Sequence, residues 1–434
     1  MLVDLLGELD DLRSDGVHVA VDVLTVDHGG CLPCLGGRGK HTGAMVGCGR
    51  NSRKIVNFCG YFVTFVCASS LLGCDAHSHS GSAEPAQAVT GPPAAPPSVP
   101  GSASSAPAPS APFEPLKVEV QDEAMGTSLH FVAYTSPQAG EPETRAAIAR
   151  AIAEIRRLEA LLSEWKPESE IGQVNAHPGD WVKVGAEAAA VLERGLWAGK
   201  LSSGSFDITF QSLSRVWKFG SAREVDPKPP SALDIARLKR RVDYRRVELD
   251  LAKGRVRIGR DQQIGLGGIA KGYIVDQAAR TLKEGGVRSF LAQAGGDLYG
   301  AGLKPDGSPW VSGIRDPRAE GYFAVLQLTD HAFSTAGDYA RAYVVGGRRY
   351  HHIIDPHTGY PATACRSVTV WAPDATTADA VDDAVFILGP ERGLALVESL
   401  DGVGAVIVDA NNQVFFSERV KDKVKVLKAP TGGI

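Results

Sequence analysis

Cysteine is nearly absent from most of this 434-residue sequence. Six of the seven cysteines lie between Cys31 and Cys74, and Cys365 is the only one that follows. A disulfide framework after Cys74 is therefore excluded. Cys31 and Cys34 have the spacing of a redox motif, but no strand and helix pattern around them predicts a thioredoxin-like fold, so coincidence is the better interpretation.

A large net charge of either sign is also lacking. The sequence has 46 Lys and Arg against 50 Asp and Glu, which gives a formal net charge of −4. Proteins that neutralise many nucleic-acid phosphates usually carry a basic excess, so we set nucleic acid aside as a partner. With 44% hydrophobic and 22% charged residues, the composition excludes a wholly disordered chain and a polytopic membrane protein, and it predicts a globular core.

A long apolar run occurs once, from Ile55 to Leu72, directly after the basic residues of the segment 50–54. A basic segment before such a run is typical of a secretory signal. The run ends in Leu71-Leu72-Gly73-Cys74, which resembles the bacterial lipobox, where the cysteine is lipidated and becomes the first mature residue. The alternative is a single transmembrane anchor, for which 18 residues are barely enough. Either interpretation exports the rest of the chain.

The segments around this signal have their own expected roles. We expect the true start at Met45, because it gives a normal basic region, with residues 1–44 as a mis-assigned extension and 45–74 as the lipoprotein signal peptide. Residues 75–114 form a Pro/Ala/Ser-rich tether, since 27 of the 32 residues from 81 to 112 are Pro, Ala, Ser or Gly. Such a segment cannot bury enough apolar area to offset its ordering entropy. We expect the catalytic domain over 115–434, held by lipid at the periplasmic face, with inner or outer membrane left open.

Hydrophobic periodicity predicts mixed elements in the folded part. Two strands, 116–120 and 128–134, flank Met125-Gly126-Thr127, and a helix follows over 143–162. Further strands are predicted over 245–250, 255–258, 290–293, 324–328 and 368–371, with helices near 184–201, 270–284 and 376–388. The irregular mixture favours an α+β fold of mixed sheets with packed helices over a doubly wound sheet.

A glycine-rich run, Gly265 to Gly272, lies between a predicted strand and a predicted helix, where amide groups and the helix dipole can hold a phosphate. It matches the G-x-G-x-x-A pattern of a dinucleotide fold, with Asp297 as a loose candidate for the ribose acid. It fails the P-loop pattern, because Gly272 follows Lys271. A tight glycine turn is the alternative interpretation.

His351 and His352 precede a turn signalled by the run 355–359. In a strand these two imidazoles face opposite sides, so at most one serves a given pocket. A base of near-neutral pKa is what a hydroxyl nucleophile needs. The alternative is a pair of exposed turn histidines.

Asp379 and Asp383 are four residues apart in a predicted helix. They share a face, where like charges destabilise each other unless a cation lies between them. The alternative is favourable acid at a helix N-terminus, which explains Asp379 better than Asp383.

Eight motifs in this order resemble those of the ApbE-type FAD:protein FMN transferases, over about residues 117–415. The motifs are Met125-Gly126-Thr127; Ser163-Glu164-Trp165 with Ser169-Glu170-Ile171 and Asn175; Gly204-Ser205-Phe206-Asp207-Ile208-Thr209; Gly267-Gly268-Ile269-Ala270-Lys271-Gly272-Tyr273 with Asp276; Gly295-Gly296-Asp297; Thr335-Ala336-Gly337-Asp338-Tyr339; His352-Ile353-Ile354-Asp355-Pro356-His357-Thr358-Gly359; and Ala378-Asp379-Ala380.

The resemblance implies roles for individual residues. His352 matches the histidine proposed as base. The flavin or FAD contacts implied are Met125, Trp165, Ser205, Phe206, Asp207, Lys271, Gln277 and Ile354. The magnesium ligands implied are the carbonyls of Ile274 and Asp382 and the side chain of Asp379. Two residues depart from the family pattern: Asp383 stands where Thr is usual, which makes it a candidate carboxylate ligand, and Ala336 stands where Ser is usual.

The resemblance implies a magnesium-dependent transferase with FAD as its substrate. A Thr or Ser hydroxyl of an acceptor flavoprotein attacks the FMN-side phosphorus and AMP leaves, while Mg²⁺ neutralises charge and His352 takes the proton. One alternative is an FAD pyrophosphatase that uses water and gives FMN and AMP. Another is a non-catalytic flavin-binding lipoprotein, in which Ala336 and Asp383 mark lost activity. A Rossmann oxidoreductase ranks last, because it explains only the glycine run.

Overall fold

The computed structural model describes residues 113–214, 216–219 and 228–433. The expected extension, signal peptide and lipidated Cys74, and the tether up to residue 112, lie outside these residues. No helix in the described ranges has both the length and the apolar character needed to cross a membrane.

Seven α-helices are described. Their bounds, in chain order, are α1 Glu141–Leu162, α2 Glu170–Ala176, α3 Ala186–Leu201, α4 Gln211–Ser214, α5 Ala232–Lys239, α6 Ala270–Glu284 and α7 Ala375–Glu398.

The described strands form one large sheet and three small ones. Their bounds are β1 Lys117–Ala124, β2 Thr127–Tyr134, β3 Val182–Lys183, β4 Glu248–Asp250, β5 Arg255–Arg257, β6 Ser289–Ala294, β7 Asp297–Ala301, β8 Trp310–Arg315, β9 Tyr322–Leu328, β10 His331–Gly337, β11 Ala342–Val345, β12 Arg348–His351, β13 Cys365–Ala372, β14 Gly404–Asp409, β15 Val414–Phe416 and β16 Val424–Val426.

The large sheet has eight strands in the order β1-β2-β6-β7-β10-β13-β14-β15, and every neighbouring pair in it is antiparallel. The small sheets are β16-β9-β8, β3-β5-β4 and the hairpin β11-β12. The predicted α+β class is confirmed. A dinucleotide-binding glycine run requires a parallel βαβ unit, and the sheet that packs on α6 provides no parallel pair.

The first hairpin forms where the sequence predicts it. β1 and β2 pair over their full length, and Met125 and Gly126 between them have φ values of 55° and 67°. Two successive residues in the left-handed region make the turn whose twist matches that of a hairpin. The Met125 amide also donates to Glu159 Oε2 of α1 at 3.1 Å, so the hairpin tip is fixed against the first helix.

The close contact between α6 and α7 positions the site. A Cβ at Gly272 would lie 2.1 Å from the Ala375 carbonyl oxygen, so glycine is needed for this approach. Asp276 of α6 accepts from the amides of Ala375 and Thr376 at 2.8 and 2.9 Å. One helix thus caps the N-terminus of the other.

Among the predicted elements whose bounds differ in the structure, two differ for a visible physical reason. The expected strand 245–250 is reduced to β4, because the Tyr244 amide donates to Asp207 Oδ2 at 2.8 Å and the chain forms a 3₁₀ turn there. The helix expected over 376–388 continues to Glu398 through a kink, where Gly389 has a φ of 80° before Pro390. Proline cannot donate the helical hydrogen bond, which accounts for the break.

Candidate functional site

Four buried or half-buried carboxyl groups meet where α7 faces α6, β7 and β10. We call Asp297, Asp379, Asp382 and Asp383 the carboxylate cluster. Asp379 Oδ1 accepts from Lys271 Nζ at 3.0 Å, and Asp379 Oδ2 accepts from the Gly272 amide at 2.9 Å. Burial, followed by the charge of Asp297, raises the pKa of Asp379 to about 7. Two elements therefore hold this carboxyl group in one orientation.

The Ser334 hydroxyl joins two members of the cluster. Its oxygen lies 2.5 Å from Asp297 Oδ1 and 2.7 Å from Asp382 Oδ2. A serine has one hydroxyl hydrogen, so one of the two carboxyl groups must itself donate to Ser334. Asp297 is paired with the Lys271 ammonium at 2.6 Å, which leaves the proton on Asp382. Burial and the negative charges of Asp383 and Asp379 raise the pKa of Asp382, which also favours its protonated form.

Asp383 faces the glycine-rich run. A Cβ at Gly268 would lie 2.7 Å from Asp383 Oδ2 and 3.1 Å from the Phe206 ring. The missing side chain at Gly268 therefore lets the Asp383 carboxylate and the Phe206 ring approach the backbone of the glycine-rich run. Burial raises the pKa of Asp383 to about 6, against the opposing effect of Lys271.

The chemistry of the cluster fits a hard divalent cation. In the described ranges no three His, Cys, Asp or Glu side chains are arranged so that they could hold a metal ion together. The Lys271 ammonium instead bridges Asp297 and Asp379. Within the same ranges Lys271 is the one cation in ion-pair contact with any of the four carboxyl groups, and it pairs with Asp297 and Asp379. Oxygen donors with surplus negative charge suit Mg²⁺, and the Asp379 and Asp383 side chains are the groups that would hold it.

The other two predicted ligands are backbone carbonyls inside helices. Ile274 lies in α6 and Asp382 lies in α7. In an α-helix such a carbonyl accepts from the amide four residues on. Both ligand roles stay predictions, and the helical geometry does not favour them.

His352 and His351 have different surroundings, and neither is an exposed turn residue. The His352 amide donates to the Arg341 carbonyl at 3.1 Å. Burial, then the positive charges of His351, Arg341 and Lys271, lower the pKa of His352 to about 3. Its Nδ1 is buried and has no hydrogen-bond partner among the described residues. The neutral imidazole has a free ring nitrogen that can accept a proton, but a pKa this low makes it a weaker base than the near-neutral one expected from the sequence.

His351 faces the core. It is 3% exposed, its Nε2 lies 2.8 Å from the Ala362 carbonyl oxygen, and its ring makes an edge contact with Phe386. His351 is the last residue of β12 and His352 lies in the bend that follows, so the end of the strand separates the two histidines rather than alternation within it, and His351 takes a packing role.

Of the predicted flavin contacts, Trp165 is the most accessible, with 73% of its surface exposed. An exposed indole offers a free stacking face. Met125 is half-buried at the hairpin tip, while Ser205 and Phe206 are buried on one loop. These positions stay predictions for the flavin.

Asp207 closes the loop that carries Ser205 and Phe206. Its Oδ1 accepts from the Thr209 amide and hydroxyl at 2.7 and 2.6 Å, and its Oδ2 accepts from the Tyr244 amide. The structure gives this carboxyl group a role in holding the loop, since three donors already engage it.

Ile354 and Gln277 are placed away from the carboxylate cluster. Ile354 is 7% exposed and packs in an apolar group with Leu213 and Trp217. Gln277 lies six residues after Lys271 in α6, on a different face of the helix. Their predicted flavin roles stay predictions.

Sequence reasoning missed three residues of this region. Asp297 was expected only as a ribose acid, Ser334 was not considered, and Glu164 was part of a motif without a role. Burial raises the pKa of Glu164, whose carboxyl group lies near Gly267. The motif Gly295-Gly296-Asp297 could have indicated Asp297 as a site residue. Ser334 reaches the cluster only because β10 pairs with β7, which no local sequence pattern shows.

The chain is similar to a known protein family and to several of its members. The model of the ApbE family matches residues 125–407. The FAD:protein FMN transferase of Treponema pallidum is 32% identical over 326 residues, covering 70% of this chain and 88% of the relative. The enzyme of the same name from Haemophilus influenzae is 27% identical over 306 residues, covering 68% and 87%.

Solved structures give the same assignment. The ApbE protein of Thermotoga maritima has 33% identity and a TM-score of 0.65, covering 70% of this chain and 98% of that one. The apo flavinyl transferase ApbE of Pseudomonas stutzeri has 28% identity and a TM-score of 0.64, covering 74% and 99%. The family match includes the carboxylate cluster, Lys271 and His352, and the chain belongs to the ApbE family.

Proposed function

We propose that this protein transfers FMN from FAD to a Thr or Ser hydroxyl of an acceptor flavoprotein subunit and releases AMP, in a reaction that requires Mg²⁺. The observation that carries the proposal is the oxygen-rich carboxylate cluster beside the glycine-rich run. The family relatives are named for FMN transfer from FAD to protein.

The reaction forms one bond and breaks one. The acceptor oxygen bonds to the FMN-side phosphorus of FAD, and the bond from that phosphorus to the bridging oxygen breaks, so AMP leaves with the electron pair. His352 accepts the hydroxyl proton at its free Nδ1. A divalent cation on Asp379 and Asp383 would neutralise charge on the pyrophosphate. Lys271 and the Gly272 amide keep Asp379 in place.

A pyrophosphatase would use the same groups with water as nucleophile. A non-catalytic flavin-binding protein would need neither a proton acceptor nor a cation site. The retained His352 and Asp379 favour an enzyme, and the exposed Trp165 indole offers a free stacking face.

The decisive experiment is product analysis. The purified protein is incubated with FAD, Mg²⁺ and a candidate flavoprotein subunit, and the subunit is then weighed by mass spectrometry. We expect a gain of one FMN that EDTA abolishes, with AMP released in equal amount. AMP and free FMN formed equally well without acceptor would instead indicate the pyrophosphatase, and no AMP under any condition would indicate a binding protein.

We further propose that the protein is exported and anchored by lipid at Cys74, with the 75–114 tether separating the membrane from the enzyme. The support is the sequence pattern of basic residues, apolar run and Leu71-Leu72-Gly73-Cys74. These residues lie outside the described ranges.

A further inference from the structure

Lys271 pairs with two carboxylates that are almost completely removed from water. The Asp297 and Asp379 side chains are 1% and 4% exposed, and the Lys271 ammonium lies 2.6 and 3.0 Å from them. A buried carboxylate without a partner is strongly destabilising. The ammonium therefore stabilises the cluster when no other cation is near it.

The same ammonium engages an atom that a metal ion would need. Asp379 Oδ1 accepts from Lys271, and Asp379 Oδ2 already accepts from the Gly272 amide. A cation that binds Asp379 through Oδ1 must share this oxygen with the ammonium or displace it. Two positive charges this close repel each other, more strongly in a site removed from water.

We propose that Lys271 is an internal counter-ion that competes with the divalent cation for Asp379. This inference rests on the proposed function, because it takes the carboxylate cluster to be the cation site. Lys271 lowers the affinity for the cation and replaces part of its charge in the cation-free protein. It acts through Asp379 and is a positioning residue.

The test is Mg²⁺ affinity, measured by calorimetry on the FAD-free protein. We expect Lys271→Met to bind Mg²⁺ between about fivefold and a hundredfold more tightly, the usual range for coupling between two sites. Its melting temperature in EDTA should fall below that of the wild type, and Mg²⁺ should restore the loss. Lys271→Arg keeps the charge and should stay near wild-type affinity. Damage to the fold alone would not tighten metal binding.

Lys283→Met is the matched control. Lys283 lies in the same helix, and its ammonium donates to the Tyr299 hydroxyl at 2.9 Å, away from the cluster. Its replacement should leave Mg²⁺ affinity unchanged. Lys271→Gln should shift affinity in the same direction as Lys271→Met, so the test stands even where the methionine variant does not fold.

Equal or weaker Mg²⁺ binding by the folded Lys271→Met or Lys271→Gln protein would overturn the inference. Absence of Mg²⁺ binding by the wild type and by both folded variants would overturn it too. The FMN transfer proposal is judged separately, by the mass of the acceptor, so the two can fail independently.

Discussion

At the scale of single residues, the two adjacent histidines make the sharpest contrast. Their ring environments differ because β12 ends at His351, which packs in the core, while His352 begins the following bend. Burial keeps His352 neutral at physiological pH. Adjacent residues of the same type can therefore divide stability and chemistry between them.

Replacing His352 by Ala should reduce FMN transfer by about 10²- to 10⁴-fold, the usual contribution of a general base, while FAD still binds. His351→Ala should instead reduce the free energy of unfolding by about 1–3 kcal/mol, because it leaves a cavity beside Phe386 and an unpaired carbonyl. Transfer assays, FAD titration and urea unfolding measure the three quantities. Equal losses of activity in two well-folded variants would contradict the assignment.

Asp383 is the second residue whose role needs a direct test. If it holds the cation together with Asp379, Asp383→Thr should weaken Mg²⁺ binding modestly and preserve transfer, because a hydroxyl oxygen replaces a charged one. Asp379→Ala should remove both Mg²⁺ binding and FMN transfer. The Mg²⁺ dependence of AMP release measures this. An unchanged dependence in Asp383→Thr would show that Asp383 does not hold the cation.

At the scale of elements, the pair α6 and α7 carries most of the site. α6 supplies Lys271 and the Gly272 amide, and α7 supplies three of the four carboxyl groups. Their approach depends on the missing side chain at Gly272 and on the cap formed by Asp276. A small change at this contact should therefore reach the chemistry.

Gly272→Ala should destabilise the protein by about 1–3 kcal/mol, because the added methyl overlaps the Ala375 carbonyl and forces the helices apart. Mg²⁺ affinity should fall with it, since Asp379 loses its amide partner. Gly432→Ala is the control, because a Cβ there meets nothing within 4 Å. Urea unfolding and calorimetry would report both effects, and wild-type values for Gly272→Ala would refute the close-contact argument.

At the scale of the whole molecule, the buried acids link stability to pH. The pKa of Asp379 is raised to about 7 and that of Asp383 to about 6. The native state therefore holds protons that the unfolded chain releases, so their contribution to stability is present below about pH 4 and is lost as pH rises through about 6 to 7. His352 has the opposite effect on stability. Its pKa is lowered in the native state, so the unfolded chain takes up a proton more readily and the free energy of unfolding falls as pH drops below 6.5.

Mg²⁺ should compete with protons for the same oxygens. We expect the increase in melting temperature on adding Mg²⁺ to be larger at about pH 8 than at about pH 5, because the carboxyl groups must lose their protons to bind a cation. Thermal unfolding with Mg²⁺ and with EDTA at both pH values measures this. An increase of the same size at both would place the cation elsewhere.

The proposed lipid anchor also belongs to the scale of the whole chain. If the proposed anchor is present, Cys74→Ala should abolish lipid attachment and change both the processing and the membrane fraction of the protein, because Cys74 would be the lipid acceptor. Cell fractionation with mass analysis of the N-terminus tests it. Retention at the membrane in the same processed form would favour an uncleaved anchor.

The sequence by itself predicted the α+β class, the first hairpin and the position of α6, because hydrophobic periodicity and turn residues are local signals. It also predicted that Asp379 and Asp383 share a helical face, and that His351 and His352 point apart. Ordered motifs identified the family before any contact was known. These properties depend on spacing along the chain, which the sequence states directly.

Only the tertiary structure decided which charges meet. Lys271 was predicted as an FAD contact, yet its ammonium pairs with Asp297 and Asp379, which lie 26 and 108 residues away along the chain. Ser334 joins Asp297 and Asp382 because β7 and β10 pair and α7 packs over them. No local pattern encodes such contacts, since they depend on strand order and on the helix approach at Gly272. Burial then sets the pKa values, because the loss of water around a carboxyl group is a property of the packed molecule.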